Sequence, residues 1–236
     1  MSEQKTDDPN PKNMPRRGLK VLCALLAVTC FGIITLPTWL PLKWVQLTVP
    51  AAKSLYGVRH NPPQSTLAAQ IVAGARAQIG TRYDASYVTI GYPGGDVPAS
   101  QGACTDVVVR AIRAAGYDLQ KLIHDDMNKR WNAYPRSWGL EAPNRNIDHR
   151  RVPNQMVFLR KHARELTKEV NESTLSQWQP GDLVYWKSGP KRLHTGVLSD
   201  SADANGVPLV IHNGYICVED NCLTRWPIIG HFRFPR

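Results

Sequence analysis

Hydrophobic and polar positions divide this chain into a polar lead, one long apolar run, a helix-patterned middle and a strand-patterned end. The run from Val21 to Leu42 holds 22 consecutive uncharged residues. At about 1.5 Å per residue, a helix of that length crosses a hydrocarbon layer of roughly 30 Å. Lys12, Arg16, Arg17 and Lys20 precede it, and Trp39, Lys43 and Trp44 close it. The pattern predicts a basic cytoplasmic flank over 1–20, a single inner-membrane anchor over 21–42, and export of the remainder to the periplasm. A cleaved signal peptide is the competing reading. Its nearest small-residue cleavage site, Val49-Pro50-Ala51, lies well downstream of the apolar run. Either reading exports the rest of the chain.

Residues 43–65, with Pro50, Pro62 and Pro63, read as a linker or stalk. Leu67, Ile71, Ala75 and Ile79 then recur at helical spacing, predicting a helix over 66–80 with Thr66 as N-cap and Gly80 as stop. After a Tyr-, Gly- and Pro-rich loop over 81–102, Val107, Val108, Ala111, Ile112 and Ala115 share one face of a second helix over 105–115, which Gly116 ends. Residues 117–155 are dense in charge, aromatics, Asn and Pro, and 154–171 reads as a basic helix. From Pro180-Gly181-Asp182 onward the period changes to that of strands, at 183–186, 194–198, 208–212 and 228–234. Helices first and an antiparallel meander afterwards predict an α+β domain over 66–236.

The chain's 236 residues suffice for a real core, and five Cys are too sparse for a disulfide framework. Lys and Arg number 29 against 19 Asp and Glu, a net charge of +10. Residues 44–236 keep 23 of the basic and 16 of the acidic residues. Those charges are scattered and accompany no zinc-finger, helix-turn-helix or single-strand-binding signature, so nucleic acid is not an expected partner. A basic exported domain instead suits anionic lipid head groups or an anionic wall polymer.

Cys104 follows a flexible Ser100-Gln101-Gly102-Ala103 loop and opens a helix. Unpaired N–H groups and the helix dipole favour thiolate at such a position, which makes Cys104 the candidate nucleophile. His194 opens a strand, and Gly196 two residues on leaves room beside its imidazole, so His194 is the candidate general base. His212 and Asn213 end the next strand and point to opposite faces. His212 is the preferred third member of a Cys-His-His triad, with Asn213 the alternative. Asp106, in the first turn of the nucleophile helix, suits either a site role or helix capping. Asn146, Asp148, His149, Arg150 and Arg151 form a polar cluster that either reads a charged substrate or staples a long loop.

A Cys at a helix start, a His in an H-x-G-h-x-S-D frame and a polar residue on the following strand resemble NlpC-type cysteine peptidases of the papain-like superfamily. Several stretches more specifically resemble the exported bacterial family called domain of unknown function 1287. They include Tyr92-Pro-Gly-Gly-Asp-Val-Pro98, Cys104-Thr-Asp-Val-Val-Val-Arg110, His124-Asp-Asp-Met127, Asn144–Asn154, Pro180-Gly-Asp-Leu-Val184, His194–Asp200 and Val210-Ile-His-Asn213. The likeness runs in order over about 66–236. It implies a papain-like NlpC-type fold, Cys104 as nucleophile and His194 as base, with His212 as third residue. It also implies that Tyr83 matches the tyrosine such domains place near the nucleophile, packing being its other reading. NlpC domains carry Asp-Cys-Ser-Gly where this chain has Ala103-Cys104-Thr105-Asp106, a departure that bears on substrate.

The expected function is a membrane-anchored, exported thiol amidohydrolase or peptidase acting on peptidoglycan peptides. Tyr83, Asp106, Asn146 and Asp148 are its candidate substrate-binding residues. A non-catalytic wall- or partner-binding module and a thiol acyltransferase are the alternatives. No cofactor is expected. His124, Asp125, Asp126, Asp148 and His149 are metal-capable but lack an H-E-x-x-H or C-x-x-C frame, so no metal site is expected. Cys217 and Cys222 are spaced to close a small disulfide loop if their Cα atoms come within about 7 Å. Cys23 and Cys30 fall in the apolar run.

Overall fold

The computed structural model describes residues 58–236. The basic flank, the anchor with Cys23 and Cys30, and most of the stalk lie outside these residues. No helix among those described is long and apolar enough to cross a membrane.

The domain is α+β. In chain order its elements are β1 (Arg59–His60), α1 (Thr66–Arg76), β2 (Arg82–Tyr83), β3 (Gln101–Gly102), α2 (Cys104–Ala114), α3 (Leu119–Arg130), α4 (Val152–His162), β4 (Arg164–Glu165), β5 (Leu183–Lys187), β6 (Leu193–Ala202), β7 (Pro208–Asn213), β8 (Cys217–Asp220) and β9 (Ile228–Arg233). The main sheet has the order β4-β9-β5-β6-β7-β8, with β1 added to the end of β6, and all its pairs are antiparallel. Strands β5, β6 and β7 follow one another as the expected meander does, and the unexpected β8 continues it. Strand β9 does not extend it and returns to pair with β5 on the opposite side. Short β2 and β3 pair in parallel beside the start of α2.

Strand alternation sorts the core into two layers. Leu183, Tyr185, Val197, Ile211, Cys217 and Phe232 face the helices and pack with Ile71, Val108, Ile112, Ile123 and Leu159. Val184, Trp186, Leu198 and Val210 face the other way, onto Trp178, Cys222 and Leu223. Burying each such side chain contributes about 1.5–3 kcal/mol. Helix α2 runs under the sheet, and its first six residues are all buried. Gly116 ends it with φ +89, a left-handed conformation suited to glycine.

Several expectations need correction. Ser65, not Thr66, caps α1, its side chain accepting from Ala68 N–H. The basic helix begins at Val152 and stops at His162, because Ala163 turns extended and Arg164–Glu165 pair with β9. Helix α3 and strand β8 are additional to the expected elements. Arg59 and His60, within the expected stalk, pair with Ala202 and Ser201 of the sheet. Cys217 and Cys222 are free thiols. They lie in different layers of the core, Cys217 toward the helices and Cys222 on the far side, and the expected disulfide between them is not formed.

Candidate active site

The site is assembled where the start of α2 meets the start of β6 and the end of β7. Helix α2 begins at Cys104 because Asp106 folds back on it, its Oδ2 accepting from Ala103 N–H at 2.6 Å. The same carboxylate takes a two-pronged bond from Arg150, with Nε and one terminal nitrogen both at 2.9 Å. Arg150 also donates to the carbonyls of Ser86 at 2.8 Å and Asp84 at 3.2 Å. Both charged side chains are buried. Asp106 therefore caps the nucleophile helix and fixes the loop in front of it, with its oxygens already engaged inside the protein.

His194 and His212 come together directly. His194 Nε2 lies 2.8 Å from His212 Nδ1, with the rings perpendicular. Gly196 permits this approach. A Cβ there would stand 2.6 Å from Val210 Cγ1 and 3.1 Å from His212 Cβ, so the room beside the imidazole is taken by the neighbouring strand. Trp186, paired in register with His194, stacks on its ring at 5.7 Å, and Trp226 meets its edge at 5.6 Å. Asn213 turns the other way. Its Nδ2 donates to Gly102 O at 2.8 Å and Thr81 O at 3.2 Å, tying β7 to the loop before Cys104.

Cys104 is 5% exposed. Burial pushes its thiol up to about 11, and Asp106 adds to the rise, against the backbone N–H groups of Thr195, Thr105 and Cys104 itself. This corrects the expectation of a resting thiolate: loss of hydration outweighs the helix N-terminus. His194 is held down to about 4 by burial first, then by the charges of His212 and Arg192. At neutral pH both groups are uncharged. No hydrogen bond joins Cys104 to His194 among the described residues; Cys104 meets β6 at Thr195, the next residue along. The two line adjoining hollows of about 260 and 460 Å³ that share Tyr83 and Leu193.

Tyr83 is 41% exposed at the junction of these hollows, its phenol pushed up by burial and by the nearby Cys104 and Asp106. Arg151, Lys191 and Arg192 also line them, and no carboxylate does. Arg151 is oriented by Asp148 at 2.9 Å and lies 4.0 Å over the ring of Trp138. Asp148 is 1% exposed, accepts from Asn144 N–H at 2.5 Å, and has its carboxyl raised by burial. Asn146 accepts from Ile90 N–H at 3.1 Å and donates to Tyr87 Oη at 2.9 Å. Of the four candidate binding residues, Tyr83 thus faces the cleft, while Asp106, Asn146 and Asp148 bind loop and backbone groups behind it. Thr195 N–H, Trp186, Trp226 and Asp220 belong to the site without having been anticipated.

The arrangement determines where protons must sit if His194 is to act as a base. His194 Nε2 is committed to His212, leaving Nδ1 as the base nitrogen. Nε2–H then donates to His212 Nδ1, and His212 carries its own proton on Nε2, which faces Asp220 Oδ2 at 3.7 Å.

The family model described as "Domain of unknown function (DUF1287)" matches residues 72–234, a stretch that includes every residue of this site. The chain belongs to the DUF1287 family. Over 167 residues, covering 70% of this chain and 80% of the relative, it is 46% identical to "Uncharacterized protein YijF" of Escherichia coli (strain K12). The expected membership is thereby shown. Of the expected metal-capable group, Asp126 is taken up by Arg130, Tyr134, Lys161 and His162. A different cluster in this DUF1287 domain, His212, Asp220 and Cys222, brings ligand atoms together among the described residues.

Proposed function

We propose that this DUF1287 domain is a thiol amidohydrolase of NlpC-like, papain-related fold, anchored in the inner membrane by residues 21–42 and acting in the periplasm on peptidoglycan peptides. The observation that carries the reading is the 2.8 Å contact between His194 and His212, with the Cys104 thiol meeting β6 at the neighbouring Thr195. As Cys104 Sγ attacks the carbonyl carbon, the thiol proton passes to His194 Nδ1. A sulfur–carbon bond forms, and the carbonyl oxygen gains negative charge stabilised by Cys104 N–H and the Tyr83 hydroxyl. His194 returns the proton to the leaving amine as the carbon–nitrogen bond breaks. Water, deprotonated by the same imidazole, then releases the acid and restores the thiol. No cofactor is required.

The cleft lining supports an anionic peptide as substrate, because Arg151, Lys191 and Arg192 border it without a carboxylate. Digestion of purified muropeptides by the protein, wild type against Cys104→Ala, tests the proposal. New amine termini with the wild type alone support it. Absence of products from the wild type refutes wall hydrolysis, and equal products from both remove Cys104 from the mechanism. A second reading, a wall-binding module on the same scaffold, is favoured by one observation: Cys104 is 5% exposed, and such burial raises its thiol pKa. Muropeptide binding that survives Cys104→Ala without turnover in either protein supports that alternative.

A further inference from the structure

His212 Nε2 is the polar atom the dyad leaves over. His212 is 5% exposed, and this nitrogen has no hydrogen-bond partner among the described residues. Its neighbours are a carboxylate oxygen of Asp220 at 3.7 Å and the thiol of Cys222, a residue 1% exposed. The three ligand atoms all lie within 4.8 Å of one another. An uncompensated buried nitrogen facing a carboxylate and a sulfur offers donor types that transition metals take.

We propose that His212, Asp220 and Cys222 bind a divalent cation of the zinc class, and that loading it switches off the Cys104–His194 pair. Sulfur and imidazole donors select zinc over magnesium or calcium. Metal–ligand bonds of about 2.0–2.3 Å in a tetrahedron place ligands roughly 3.5 Å apart, so the cluster needs to contract by about 1 Å. Asp220, one-third exposed at the end of edge strand β8, is the member that moves, and its 2.7 Å ion pair with Arg225 must lengthen as it does so. Two anionic ligands balance the charge of the cation, the Cys222 thiol gives its proton to solvent, and water completes the fourth position.

The consequence for the dyad comes through the hydrogen bond on the other side of the ring. A metal on His212 Nε2 moves that ring's proton to Nδ1, which must then donate to His194 Nε2. His194 carries its proton on Nδ1, the nitrogen required to accept from Cys104. The switching half rests on the reading of Cys104 and His194 as nucleophile and base; the binding half does not.

The test uses the metal-free full chain in detergent, titrated with cobalt(II) and then zinc(II). Cobalt should produce a near-ultraviolet thiolate charge-transfer band in the wild type and in Cys104→Ala, and none in Cys222→Ala. Asp220→Asn, a near-isosteric change at a residue one-third exposed, should weaken cobalt binding at least about tenfold. No band in the wild type, a band that survives Cys222→Ala, or a band lost with Cys104→Ala overturns the site. Zinc loading should lower muropeptide turnover at least about tenfold in the wild type and leave it unchanged in Cys222→Ala. Unchanged turnover in the loaded wild type overturns the switch. A correct cobalt band in a protein that cleaves no muropeptide refutes the hydrolase reading and supports the metal site.

Discussion

His194 Nε2 sits 2.8 Å from His212 Nδ1, and the two rings are walled by Trp186 and Trp226. A bond between two neutral imidazoles fixes which nitrogen of each carries the proton, so its value lies in orientation more than in charge. Replacing His194 by Ala should lower muropeptide turnover by about 10²–10⁴-fold, the ordinary worth of a positioned base. His212→Asn keeps a side-chain acceptor, whereas His212→Ala does not. The Asn variant should retain more kcat than the Ala variant, with KM little changed in both. Equal kcat for the two would show that His212 acts only by filling space.

The resting state of Cys104 is open to direct measurement. With the thiol raised to about 11 and His194 lowered to about 4, the neutral pair persists across the physiological range. Iodoacetamide labelling of Cys104, followed by peptide mass, should rise with pH throughout the range 7 to 10 and stay slower than that of free cysteine. A labelling rate already flat by pH 7 would instead mean a stored thiolate.

Gly196 carries a separate structural demand. Adding one methyl group drives into Val210, the Ile211 carbonyl and His212 Cβ, two of them belonging to backbone or to a stiff β-branched residue. Gly196→Ala should cost about 1–3 kcal/mol of unfolding free energy in urea titrations and should separate β7 from β6 locally. If stability and turnover both survive, the close approach of these strands is not what places His212.

How much of this was legible depends on which signals the sequence makes periodic. Helices α1 and α2 and strands β5, β6, β7 and β9 carry clear apolar spacing, and they were anticipated to within a few residues. Helix α3 repeats Leu119, Ile123 and Met127 on one face, but Lys, His and Asp surround them and dilute the pattern. Strand β8 lies at the sheet edge, where Cys217-Val218-Glu219-Asp220 shows little alternation of polarity. In the site, strand alternation was enough to separate His212 from Asn213. Burial of Cys104 was not legible, because hydration depends on what packs over the thiol and not on its place at a helix start. The meeting of His212 with Asp220 and Cys222 was equally hidden, since it needs the unanticipated β8.

The Asp106–Arg150 pair is a stability element with a functional consequence. Removing one partner of a buried ion pair leaves the other charge uncompensated, at a cost of about 3–5 kcal/mol. Arg150→Met should therefore lower the denaturation midpoint strongly and release the loop at Asp84 and Ser86 that Arg150 anchors. The double variant Asp106→Asn with Arg150→Met should recover part of that stability. A double variant no more stable than Arg150→Met would show that the hydrogen bonds, and not the buried charge, dominate.

His149 offers the clearest acid-sensitivity test, because it lies away from the cleft and is 2% exposed. Its imidazole is lowered to about 4, by burial first and then by the charge of Arg150, with Arg113 adding to the effect and Asp118 and Asp96 opposing it. Between about pH 6.5 and 4 the unfolded chain binds a proton here that the folded one refuses. Its contribution is fully present above pH 6.5 and is lost as pH falls through 4. The gap of about 2.5 units corresponds to roughly 3 kcal/mol. Unfolding free energy measured in urea should therefore fall over that interval in the wild type and fall less in His149→Gln, where no proton can be taken up. Identical slopes for the two proteins would mean that His149 titrates in the fold as it does in water.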